Sequence, residues 1–76
     1  MEQGYTHLRK CNPEQRQDRF YTLSVLPNLF GSSSLIREWG RVGTSSRVHI
    51  DLYDSEAEAL RGMQRKRHEK QRRGYG

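Results

Sequence analysis

One tryptophan lies between two arginines at alternating positions, in the order Arg37, Trp39, Arg41. Successive side chains of an extended strand point to opposite faces, so these three share a face. An indole can stack on a base or a ribose, and a guanidinium can hold a phosphate through paired N–H donors. The pattern therefore indicates a nucleic-acid contact. Gly40, on the opposite face, permits another element to approach closely, and we expect that element to be a helix.

The same tryptophan also fits a purely structural role. A lone Trp in a small protein is commonly a central core residue, and an arginine beside it can satisfy carbonyl groups at a turn. Alternation by itself does not separate these two interpretations of Trp39.

Most of the excess positive charge lies at the C-terminal end of the chain. The 76 residues contain 14 Lys and Arg against 9 Asp and Glu, for a net charge of +5. Residues 55–76 carry seven basic and three acidic residues, so they hold +4 of that charge. Such a cluster is typical of a phosphate-backbone binder, although a solvated helix face has the same composition. The candidate phosphate contacts here are Arg65, Lys66, Lys70, Arg72 and Arg73.

The sequence offers no residue set for catalysis. Cys11 lies in a polar segment, and His7, His49 and His68 suggest no common site, so a nucleophile, a base and an orienting group cannot be assembled. One cysteine cannot close an internal disulfide, and the scattered histidines lack a zinc spacing. We therefore expect a protein that is not an enzyme and that has no metal and no cofactor.

Four segments have the pattern of short strands, at residues 7–11, 20–26, 35–42 and 47–53. Apolar residues alternate with polar ones in the second and fourth segments, which predicts half-buried strands of an antiparallel meander. The polar stretch 12–18 is expected to form a loop. Residues 28–34 are expected to form a connection in which Leu29 and Phe30 fold back as an apolar plug.

The last element is predicted to be a helix. Ser55 and Glu58 have the spacing of a capping box, helix-forming residues continue to Arg73, and Gly74 is a plausible stop. Ala59, Leu60 and Met63 form a short apolar stripe, so packing can hold only about the first two turns. The fold class is α+β: a small antiparallel sheet of four to five strands, with one C-terminal helix packed on one face.

Size allows one domain, which we place at residues 7–75, after a flexible N-terminus at residues 1–6. Apolar residues are only 32% of the chain. No run of them is long enough to span a membrane, and the N-terminus lacks the pattern of a signal peptide. We therefore expect a cytoplasmic protein, associated with the nucleoid if it is bacterial.

The string Arg37-Glu38-Trp39-Gly40-Arg41-Val42-Gly43-Thr44 resembles the signature of the WGR domain, a module found beside the catalytic region of DNA-dependent poly(ADP-ribose) polymerases. Four further segments match in order: Arg19-Phe20-Tyr21, Leu29-Phe30-Gly31, Ser55-Glu56-Ala57-Glu58-Ala59 and Lys70-Gln71-Arg72-Arg73-Gly74-Tyr75. The resemblance covers roughly residues 7 to 75 and is strongest to small stand-alone bacterial WGR proteins. One departure is Ser45-Ser46, where family members commonly carry a second glycine.

The resemblance implies an antiparallel sheet with one helix across it. It also implies binding of DNA ends or strand breaks through Trp39 and Arg41, with Gly40 as the permissive residue between them. In the polymerases the module relays the DNA signal to a catalytic domain. Seventy-six residues leave no room for such a domain, so we expect no relay role.

Two other functions remain open from the sequence. An exposed aromatic strand and a basic helix would also suit docking to an acidic protein partner. RNA is a third possibility, since stacking and phosphate contacts do not distinguish the sugars unless a 2′-hydroxyl is recognised. Tight sequence specificity is not expected, because no helix carries a groove-facing stripe of Asn, Gln and Arg.

Overall fold

Four antiparallel strands form one sheet in the order of the sequence, and a single helix follows them. The computed structural model describes residues 4–76, apart from the side chains of residues 17 and 29. The predicted α+β meander with one C-terminal helix is confirmed. The elements are β1 (Tyr5–Asn12), β2 (Gln17–Pro27), β3 (Ser33–Arg41), β4 (Ser46–Tyr53) and α1 (Glu56–Arg72).

The first two strands are longer than the sequence pattern predicts. β1 begins at Tyr5, and its pairing with β2 continues as far as Asn12 opposite residue 17. Only residues 13–16 link the two strands, with a 3₁₀ turn and a left-handed Arg16 at φ 54°. The predicted polar loop is thus a tight connection. Residues 1–3 of the predicted flexible N-terminus lie outside the described part of the chain.

One face of the sheet forms the core with α1. The pairing places Leu8 opposite Tyr21 on neighbouring strands, and directly opposite residues point to the same face. The Ser55 hydroxyl accepts the Glu58 N–H at 3.2 Å, which fixes the start of the helix as predicted. The buried apolar residues are Leu8, Tyr21, Leu23, Leu35, Ala59 and Met63.

The apolar residues of β4 lie on the other face. Ile50 pairs with Ile36, whereas Asp51 pairs with the buried Leu35. The helix therefore lies on the polar side of β4, where it covers only the Asp51 and Tyr53 end of the strand, and the apolar side is open. Val48, Ile50 and Leu52 are 59%, 56% and 76% exposed. The expectation of a half-buried strand is wrong for β4, because alternation identifies two faces without saying which one another element will cover.

The connection between β2 and β3 also differs from the prediction. Phe30 is 101% exposed and has a left-handed backbone at φ 72°, so the apolar plug expected at this residue is absent. The side chain of residue 29 lies outside the described part. The neighbouring turn is held by polar groups instead: Ser34 donates to the Asn28 side chain at 3.0 Å, and the Asn28 N–H donates to the Ser32 carbonyl at 2.8 Å.

Gly62 allows α1 to approach β4. A Cβ on this residue would lie 2.8 Å from Cζ of Tyr53 and would clash with its ring and hydroxyl. The glycine costs about 1 kcal/mol of helix propensity relative to Ala. It is tolerated because the Tyr53 ring occupies the space that a side chain would need.

Candidate nucleic-acid interface

A row of basic side chains crosses the helix-covered face of the sheet, beyond the last turn of α1. Antiparallel pairing places Lys10 opposite Arg19, and Arg19 opposite Arg41. Arg47 adds a further cation opposite Trp39. Like charges directly opposite each other destabilise a sheet. The repulsion within the row therefore opposes folding, and an anionic ligand would offset it.

Aromatic rings lie beside this row. Trp39 is opposite Tyr21, and their rings stack with centroids 5.7 Å apart and planes 17° apart. Tyr75 meets Tyr21 edge-on at 6.1 Å. Trp39 is half-buried and packs against the core cluster. The indole thus supports the core on one side and borders an open surface on the other.

The end of α1 brings Tyr75 to this position. The Tyr75 N–H donates to the Lys70 carbonyl at 3.1 Å, and the Gly74 N–H donates to the Gln71 carbonyl at 3.1 Å. With Gly74 at φ 99°, these two bonds form a Schellman motif, which ends the helix and turns the chain back. Gly76 then exchanges two backbone hydrogen bonds with Arg9, each 2.9 Å long.

Two lysines hold together the corner that is formed by the end of α1, Tyr21 and Tyr75. The Lys10 ammonium donates to the Arg73 carbonyl at 2.9 Å, beside the negative end of the helix dipole. The Lys70 ammonium lies 4.7 Å above the centroid of the Tyr21 ring. Partial burial lowers the pKa of Lys70, and the positive charge of Arg73 lowers it further. Lys70 is therefore a cation that an added negative charge would stabilise.

The row and the rings enclose a shallow depression. None of its lining residues is acidic. They are Arg19, Trp39, Gly40, Arg41, Arg47 and Tyr75. Such a surface can place a flat ring against Trp39 or Tyr75 and surround a phosphate with guanidinium groups.

Gly40 has a different neighbour from the one expected. A Cβ here would lie 3.1 Å from both the Ser45 carbonyl oxygen and the Ser46 Cα. The element that approaches this glycine is the backbone of the β3–β4 turn, so the expectation that it would be a helix is wrong. Gly43 supplies the left-handed residue of that turn at φ 86°. Among the described residues, Arg16 and Phe30 are the only residues other than glycine that have a positive φ. Neither Ser45 nor Ser46 has one, so this pair causes no backbone strain.

Arg37 lies apart from the basic row, beneath the helix. Its side chain is only 18% exposed, and its Nε lies 3.1 Å from Asp51 Oδ2. Burial opposes the charge, but the Tyr21 hydroxyl and the Asp51 carboxylate outweigh it and raise the pKa of Arg37. The guanidinium also lies 5.9 Å from the Trp39 ring centroid. The geometry suits Arg37 to positioning Trp39 and Tyr21.

The remaining predicted helix residues are spread around α1. Lys66 is half-buried, pairs with Glu69 at 3.4 Å and lines a groove with Arg37 and Asp51. Arg73 is near the depression because its carbonyl binds Lys10. Arg65 and Arg72 share the outer side of the helix with His68. Of the predicted helix cations, the structure brings Lys70 and Arg73 to the aromatic corner.

Sequence reasoning missed several members of this cluster. Lys10, Arg19 and Arg47 were not singled out, because their importance depends on the register between strands and no single segment shows it. Tyr21 was assigned only to the alternating strand at residues 20–26. Aligning the meander so that Arg19 faced Arg41 would have revealed the row of like charges.

Within residues 4–76, no group of three or more His, Cys, Asp and Glu side chains is arranged to hold a metal ion. In the same range, no helix is long and apolar enough to cross a bilayer.

Comparisons with known proteins find a family model and a relative that match this chain. The WGR domain family model matches residues 5–76. The uncharacterized protein y4dW of Sinorhizobium fredii (strain NBRC 101917 / NGR234) is 33% identical over 69 residues, which cover 91% of this chain and 34% of that protein. The chain thus spans about a third of the length of this curated relative. No solved structure matches the chain. The chain belongs to the WGR domain family, a family of nucleic-acid-binding modules.

Proposed function

We propose that this domain binds the ends or breaks of DNA without catalysing a reaction and with little sequence specificity. The observation that carries the proposal is the row of Lys10, Arg19 and Arg41 placed directly opposite one another beside stacked aromatic rings. Phosphates would relieve the repulsion within the row, and the rings would receive a terminal base or sugar.

The shape of the surface favours an end over the middle of a duplex. The basic residues surround one shallow depression at the end of α1 and do not follow a long groove. The inner side of α1 packs on the sheet through Ala59, Gly62 and Met63, so the helix does not offer that side to a major groove. Arg and Lys contacts to phosphate carry no sequence information, which agrees with low specificity.

Within this proposal the residues have different parts. Arg19, Arg41 and Arg47 contact the terminal phosphates, Trp39 and Tyr75 contact the base or the sugar, and Gly40 keeps the adjoining turn close. Lys10, Lys70 and Arg73 extend the positive surface along the helix end. Arg65, Lys66 and Arg72 add long-range attraction, and Arg37 positions the rings.

The test compares DNA forms that carry the same phosphates. Affinity is measured for a short linear duplex and for a covalently closed circle of the same sequence, under conditions far from saturation. We expect preference for the linear form, with a slope of log affinity against log salt of roughly −3 to −5 for about four to six phosphate contacts. Duplex RNA and an acidic protein are included as competitors.

The matched variants are Arg41→Gln and Arg61→Gln, which remove equal charge from the depression and from the exposed start of α1. Arg41→Gln should reduce the preference for ends, because it removes a charge-assisted contact. Arg61→Gln should leave the preference intact. Equal affinity of the wild type for circle and linear DNA would reject end recognition, and preferential binding of RNA or of the acidic protein would favour those ligands instead.

A further inference from the structure

β4 has one paired edge and one open edge. It hydrogen-bonds to β3 and is the last strand of the sheet in the order β1-β2-β3-β4. Its open edge runs over eight residues, Ser46–Tyr53, with neither proline nor lysine. A long edge of this kind, with apolar side chains exposed beside it, is a ready template for another strand.

The opposite edge of the sheet is covered at one residue by the end of the chain that the structure describes, which distinguishes it from the edge of β4. On β1, the N–H and carbonyl of Arg9 are both occupied by Gly76. Lys10, the next residue, is held by the helix end. No equivalent covering lies on β4 among the described residues, and the apolar side chains of that strand are exposed.

Two copies of β4 are complementary to each other when they run antiparallel about a two-fold axis at Ile50. In this register the residue numbers of any two opposite residues add up to 100. Val48 therefore faces Leu52 of the other copy, and Ile50 faces Ile50. On the helix side of the sheet, His49 faces Asp51 of the other copy. The apolar cross-strand pairs are favourable. His49 and Asp51 already contact each other at 3.0 Å within one copy, so the apolar pairs determine the register.

The neighbouring register is less favourable. An axis at His49 would place His49 opposite His49 and the apolar Leu52 opposite Ser46. An axis at Asp51 would place two carboxylates directly opposite each other, which is repulsive. Among these alternatives, the Ile50 axis alone pairs every large apolar residue of β4 with another.

We propose that two copies of this chain associate through β4 in this register, to form one continuous eight-stranded antiparallel sheet. A contact of one strand with another is smaller than the roughly 1,200 Å² of a stable interface, so the dimer depends on concentration. The two-fold axis directs the basic corners of the two copies toward opposite ends of the joined sheet. Association is measured without DNA, so its outcome is independent of the proposed DNA binding.

The first test is the solution mass by sedimentation equilibrium over a wide concentration range. We expect the wild type to change from monomer to dimer, and Ile50→Lys to raise the dissociation constant at least about tenfold, since two ammonium groups would meet at the axis. Leu26→Lys is the control, because Leu26 is similarly exposed but lies on the interior strand β2. Circular dichroism verifies that both variants are folded. A wild type that is monomeric throughout, or a dimer unaffected by Ile50→Lys, would overturn the proposal.

The second test fixes the register and does not depend on a disruptive variant. In a Cys11→Ser background, which removes the exposed native thiol, single cysteines are introduced by Ile50→Cys and His49→Cys and exposed to a mild oxidant. Opposite residues at the axis have Cα atoms about 4.5–5.5 Å apart, within the range of a disulfide. Diagonal neighbours are about 7–8 Å apart and beyond it. We expect covalent dimers from Ile50→Cys and few from His49→Cys, and the reverse result would refute this register.

Discussion

The first turns of α1 and its last turns contact the same sheet by different chemistry. At the start, Ala59, Gly62 and Met63 are buried against the sheet and against Tyr53. Near the end, the contacts come from the half-buried Lys66 and Lys70, whose stems cover the sheet while their ammonium groups stay near solvent. The apolar half supplies stability without charge. The cationic half holds the helix end through Lys70 over the Tyr21 ring and Lys10 on the Arg73 carbonyl, and it leaves the neighbouring guanidinium groups close together.

Removing apolar volume from the first half should give the largest effect. Met63 is 1% exposed in the core cluster, so Met63→Ala should lower the free energy of unfolding by about 2–5 kcal/mol, through lost burial and a cavity. The measurement is urea unfolding followed by circular dichroism. Arg61→Ala, on the exposed side of the same helix, should change stability by no more than about 0.5 kcal/mol. If Met63→Ala and Arg61→Ala lowered the free energy of unfolding equally, the buried and the exposed side of the helix would not differ in their contribution to stability.

Removing a charge from the basic row should change binding without harming the fold. Arg19 faces Lys10 on one side and Arg41 on the other, so Arg19→Gln relieves two like-charge contacts. Stability should stay equal or rise by about 0.2–1 kcal/mol. Affinity for a linear duplex should fall by about tenfold, and the salt slope should become less negative by about one. A clear loss of stability would mean that the row serves the fold.

The smallest expected effect is a change in the titration of Lys70. Burial and the charge of Arg73 hold its pKa below the ordinary value of 10.5, so the folded state releases this proton before the unfolded state does. Stability should therefore rise slightly with pH between the lowered pKa and the ordinary one. Binding of a DNA end should move the pKa upward, as nuclear magnetic resonance of the lysine side chain can follow. An ordinary pKa of Lys70 in the free protein, or a pKa that does not rise when DNA binds, would contradict the environment described for Lys70.

Local patterns were sufficient to predict most of the fold. Alternation in β2 correctly placed Tyr21 and Leu23 on the buried side, and the Ser55 cap correctly placed the start of α1. Alternation in β4 misled, because the face that is covered depends on where α1 crosses the sheet. The exposure of Phe30 was also not predicted, since the type of an apolar residue in a turn does not show whether its side chain is buried.

The candidate site was harder to predict than the fold. Trp39 and Arg41 stood out because they are adjacent in a short motif. Arg47 and Tyr75 were missed as site residues because they meet Trp39 only through strand register and the turn after α1. For Arg37, alternation places the side chain on the Trp39 face but cannot show that Asp51 pairs with it.

The bonds between Gly76 and Arg9 join the last described residue to the first strand of the sheet. During synthesis, the ribosome would release the strands that carry Lys10, Arg19, Arg41 and Arg47 before it releases Tyr75. A nascent chain would hold the cations first and complete the aromatic wall of the depression only once Tyr75 has emerged. The depression would thus be completed only when the last turn of the helix settles beside the first strand.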